Sequence, residues 1–119
     1  MTNENPLKTS EIAFFDYSAI MPNPEQYERN ANNFGSVKDL LTDEKDENGV
    51  SLIIHIENCF ICNRPMDGRK AVMVHLATNG GLLPADIDES RLEMGLSQGC
   101  FPIGASCAAK VPAKYRVKR

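Results

Sequence analysis

The pair Cys59-Phe60-Ile61-Cys62, set against a third cysteine in Gly104-Ala105-Ser106-Cys107, constrains this chain more than any other feature. Thiolates from two segments far apart in sequence can close on one metal ion, and a small domain staples itself together in this way. At 119 residues the chain has the length of one domain, with a modest core that profits from such a cross-link.

Charge is unevenly spread along the chain. Residues 1 to 50 hold ten acidic and four basic side chains, whereas residues 51 to 119 hold six acidic and nine basic ones. Three regions are expected: an acidic, aromatic N-terminal segment packed on the core (1–49), a metal-binding unit (50–112) and a basic tail (113–119). Apolar runs such as Leu52-Ile53-Ile54 are far too short to cross a membrane. The first fifteen residues lack the basic start and apolar stretch of a secretory signal, so a cytoplasmic protein with reduced thiols is expected.

Local signals supply the elements. Asn23 before Pro24 and Glu25 predicts a helix running to about Asn32, and Ser36 predicts a second over Val37 to Thr42. Asp43 to Gly49 reads as a charged loop. Val50, Leu52, Ile54 and Ile56 alternate with Ser51, Ile53, His55 and Glu57, which predicts a strand with one face in the core. The same alternation over residues 70 to 77 predicts a second strand, reversed by Thr78-Asn79-Gly80-Gly81 into Leu82-Leu83. One or two helical turns are expected within 86–94, and a short helix from Ser106 to Val111 before Pro112.

Cys59-x-x-Cys62 reads as a zinc knuckle in the reversal between the two predicted strands, with Asn63 suited to the left-handed conformation that follows. A thioredoxin-like redox pair needs the motif to open a helix, and Pro65 and Gly68 break any helix there. A two-Cys two-His finger is excluded because Asn79-Gly80-Gly81 and a strand replace its helix. Cys107 is the expected third ligand, since it lies in the first turn of a helix whose positive end favours a thiolate. His75 is preferred as the fourth, because it points off the Val72/Val74/Leu76 face; Cys100 is the alternative. His55 is read as structural. Knuckle plus helix N-terminus is the treble-clef arrangement, so the expected fold class is α+β: a zinc-stabilised, treble-clef-like β-hairpin and short helix with a mostly helical or irregular N-terminal part.

Three stretches carry a resemblance: Cys59-Phe60-Ile61-Cys62-Asn63-Arg64-Pro65, Val74-His75-Leu76, and Phe101-Pro102-Ile103-Gly104-Ala105-Ser106-Cys107-Ala108-Ala109-Lys110. On these, the C-terminal half resembles a set of uncharacterised small proteins common in phages and mobile elements. The resemblance implies a metal-binding, treble-clef-like unit and no defined activity. Cys100 stands where that set has a bulky aromatic residue.

No phosphate-binding glycine loop, G-x-S-x-G, H-E-x-x-H or nuclease-type acidic cluster is present in the sequence. With three thiols among four candidate ligands, a closed structural site is expected rather than a catalytic one. The expected function is a non-enzymatic adaptor or inhibitor that docks on another protein through its acidic, aromatic N-terminal half. The alternative is a nucleic-acid-binding finger with Lys110, Lys114, Arg116, Lys118 and Arg119 on phosphates, joined by Arg64, Arg69 and Lys70.

Overall fold

The computed structural model describes residues 7–117 and contains two small antiparallel sheets and two short helices. In chain order the elements are α1 (Pro24–Asn30), β1 (Ile56–Asn58), β2 (Pro65–Asp67), β3 (Val72–Ala77), β4 (Leu82–Leu83), β5 (Ser97–Ile103), α2 (Ala105–Ala108) and β6 (Arg116–Val117). Several single 3-10 turns join them. The fold class is α+β.

β3 organises the larger sheet. Along one edge it pairs with β5 from Val72↔Ile103 to Ala77↔Ser97, with a bulge between Leu76 and Ala77. β6 (Met73↔Val117, Val74↔Arg116) and β4 (His75↔Leu83, Leu76↔Leu82) share the other edge. Alternation then splits its side chains between two cores. Val72, Val74 and Leu76 pack with Cys59, Ile61, Met66, Leu82, Ile103 and Cys107. On the opposite face Ala77 packs with Ile12, Leu83 and Leu96.

The helix predicted after Asn23 forms as α1. The Asn23 side chain accepts a hydrogen bond from the Gln26 N–H at 2.8 Å, Pro24 occupies the first turn, and Glu25 pairs with Arg29. The predicted turn at 78–81 also forms, with Gly80 at φ 90°. The helix predicted over Val37 to Thr42 does not form. Gly35–Leu40 is a 3-10 segment interrupted at Val37, and the Ser36 hydroxyl donates to the Pro65 carbonyl instead of capping. Within 86–94 a single turn forms at Glu89–Arg91, with the Asp88 carboxylate accepting from the Ser90 N–H.

The strand expected over residues 50 to 57 is reduced to β1, and its partner is β2 rather than the 70–77 strand. Asp46 is the physical reason. Its carboxylate accepts from the N–H groups of Asn48 and Val50 and meets His55 Nε2 at 2.8 Å, while the Leu52 N–H donates to the Glu44 carbonyl. These local bonds curl Leu52–His55 into a 3-10 turn and compete with a sheet ladder. Ile53 and Ile54 are left 53% and 66% exposed.

Residues 113–117 pack against the larger sheet as a 3-10 turn, Ala113–Tyr115, followed by β6, which joins it. Buried Tyr115 donates its hydroxyl hydrogen to the Ala13 carbonyl at 2.6 Å, and β6 follows it directly. Lys118 and Arg119 lie outside the described residues.

Candidate metal centre

The site starts from a six-residue loop, Cys59 to Arg64. β1 and β2 bring the chain back on itself at Asn58↔Pro65, and the cysteine pair occupies the tip between them. Asn63 adopts φ 71°, the left-handed conformation, and its N–H donates to the Cys59 carbonyl at 2.8 Å. The Cys59 N–H in turn donates to the Arg64 carbonyl at 2.9 Å, which closes the loop. On the other side, α2 starts after Gly104 and presents Cys107 and Ala108 inward, with Val111 buried one turn later.

The three sulfurs converge. Cys59, Cys62 and Cys107 place their Sγ atoms within 4.8 Å of one another, with Cys59 and Cys107 buried and Cys62 half-buried. The S···S edge of a tetrahedral zinc–thiolate site is about 3.8 Å for bonds near 2.3 Å. At most about 1 Å of contraction would therefore bring these thiols onto one ion, so the trio could hold a metal.

Electrostatics favours a thiolate at Cys59. A hydrogen bond from the Cys107 thiol is the largest influence on Cys59; with the N–H groups of Cys62, Gly104 and Ile61 it outweighs burial and draws this thiol down to about 5. Cys107 is pushed up, first by that same hydrogen bond and then by burial and the neighbouring negative charge. One proton is thus held between the two sulfurs, ready to be displaced by a cation.

His75 and Cys100 lie outside this group. Val74, on one face of β3, packs with the cysteines; His75, the next residue, must face the other way. Cys100 stands directly opposite His75 in the β3–β5 register, so it shares the same wrong face. One strand's alternation removes both candidates together. His75 is buried instead against Ser97, Nε2 to Oγ 2.6 Å, with a Glu89 carboxylate oxygen 3.7 Å away. Cys100 is exposed, and partial burial with the nearby Glu89 charge raises its thiol pKa. The feature taken from the sequence in favour of His75, its direction off the Val74 face, is what keeps it from the site.

Two asparagines around the site escaped sequence reasoning. The Asn30 amide, buried at the end of α1, donates to the Cys62 carbonyl at 2.8 Å, and the Asn63 amide donates to the Tyr27 carbonyl at 3.1 Å. Together they fasten α1 to the knuckle from 32 and 36 residues away in sequence. Aromatic contacts extend the link: Tyr17 lies 5.4 Å from Phe60, which stacks on Phe101 at 5.0 Å. Phe14, Phe15 and Tyr17 are half-buried in the two cores.

Lys110, Lys114 and Arg116 are exposed, and Lys114 sits over the Tyr115 ring. Arg69 is paired with Asp67. Among the described residues no helix is long and apolar enough to cross a membrane. No family model, curated protein or solved structure matches the chain.

Proposed function

We propose that this chain is a non-enzymatic adaptor or inhibitor, built on a treble-clef-like unit stapled by zinc at Cys59, Cys62 and Cys107. The convergence of the three thiols from hairpin tip and helix start carries the metal reading. A soft, all-thiolate donor set suits zinc, which needs no redox chemistry and accepts tetrahedral geometry readily. In the reduced cytoplasmic setting expected from the sequence, such thiols serve a metal better than a disulfide. The likeness to small phage and mobile-element proteins points the same way.

The protein-contact role rests on the surface around Leu41, Val50, Ile53 and Ile54. All four are exposed, beside the acidic run from Asp43 to Glu47. Exposed apolar residues with a charged surround are the ordinary make-up of a contact surface. Zinc analysis of the purified protein tests the staple, with about one ion per chain expected. Ile53→Lys and Ile54→Lys should retain that ion yet lose partner capture; partner capture unchanged in both would remove this surface from the reading.

A nucleic-acid role is the second reading, favoured by the exposure of Lys110, Lys114 and Arg116. Truncating the C-terminal residues would remove buried Tyr115, so neutralisation of these three side chains is the better trial. Each lost phosphate contact on duplex DNA should reduce the salt slope by about 0.9. Binding that does not respond to salt would end this reading.

A further inference from the structure

We infer that the fourth coordination position of the metal at Cys59, Cys62 and Cys107 is exchangeable, filled by a neutral donor from outside the chain: water by default, and imidazole where it is offered. The inference rests on the zinc reading above and concerns what else that ion can bind. Among the described residues, the group that could hold an ion has three members, and no histidine or carboxylate joins it. His75 and Cys100 sit on the far face of β3. His55 is engaged by Asp46 at 2.8 Å. Zinc is four-coordinate in proteins almost without exception, and a position the protein leaves open is taken by solvent or by a ligand.

Burial says where that ligand enters, and charge says of what kind. Cys59 and Cys107 are 1% and 4% exposed, whereas Cys62 is half-buried, so the approach lies along the Cys62 side. Three thiolates on a divalent ion already leave a net negative charge. A fourth anion in this partly desolvated corner would add to it, while a neutral nitrogen or oxygen donor would not. Imidazole is such a donor and a normal zinc ligand. The same corner can therefore receive a histidine side chain from a docked partner, which would tie the metal to the adaptor role.

Cobalt substitution of the full chain tests this. Cobalt should be taken up at one ion per chain, with thiolate charge-transfer intensity corresponding to three sulfurs. Adding imidazole should shift the ligand-field bands while that intensity is retained, and an equal concentration of 2-mercaptoethanol should shift them less. His75→Gln and Cys100→Ser should give the same spectra as the parent chain. Bands unmoved by imidazole at one cobalt per chain, a four-thiolate intensity, a cobalt-dependent dimer, or a changed spectrum in either variant would overturn the inference and leave the metal site standing. Failure to take up cobalt at all would instead overturn the zinc reading beneath it.

Discussion

The two faces of β3 carry adjacent residues and opposite chemistry. Val74 faces three converging thiols, among which the Cys107 thiol donates to Cys59. His75 meets Ser97 in a part-buried hydrogen bond, with a Glu89 carboxylate oxygen 3.7 Å away. Both faces hold a buried group capable of hydrogen bonding. The difference is that among the described residues no buried side-chain nitrogen or oxygen lacks a partner, whereas the three clustered thiols leave room for an ion to bring them together. A closed hydrogen bond needs no further partner, whereas three converging thiols could hold a metal.

The largest test of that contrast is Cys59→Ser. It should abolish stoichiometric zinc binding and forfeit most of the roughly 10 kcal/mol or more that a structural zinc contributes. Zinc content and thermal unfolding, with and without chelator, read both effects. Full zinc retention in this variant would erase the distinction between the faces.

Leu82 and Leu83 sharpen it, since they are neighbours in β4, fully buried, and belong to different cores. Each change to alanine should cost about 2–5 kcal/mol in denaturant unfolding. Only Leu82→Ala, on the cysteine side, should also weaken metal uptake.

In the reduced, metal-free protein the next effect is a dependence on pH. Cys59 has a folded pKa of about 5 against an ordinary value of 9.0. A lowered pKa contributes stability above the unfolded value, and that contribution is lost as pH falls through the folded one. Cys107, shifted upward, holds its proton over this range and adds no opposing slope. The unfolding midpoint should therefore climb between about pH 5 and 8, and Cys59→Ser should flatten the climb. A midpoint that falls over this window would contradict the shared proton.

His75→Ala should have the smallest effect. Losing the bond to Ser97 should cost about 1–2 kcal/mol, with zinc binding unchanged. A variant that loses zinc at unchanged fold would return His75 to the metal.

The knuckle was legible because its determinants are local. Two cysteines three apart, an asparagine tolerant of positive φ and a following proline settle the loop within a few residues, and Asn23-Pro24-Glu25 settles α1 in the same way. Cys107 was legible because a helix start favours a thiolate wherever that helix packs. The strand read at 50 to 57 failed for a local reason too: alternation was visible, but the capture of that segment by Asp46 depends on hydrogen bonds that hydrophobic periodicity does not register.

What the chain by itself determined is therefore which three cysteines come together and the shape of the loop that offers two of them. Tertiary structure alone decided the rest: the fastening of α1 through Asn30 and Asn63, the docking of β6 beside β4, and above all which side of β3 meets the cysteines. The physical reason is that alternation separates a strand's residues into two sets without saying which set faces what. Only the pairing of β3 with β5, and the placement of the hairpin tip and α2 over the Val74 side, turned His75 and Cys100 away from the three thiols together.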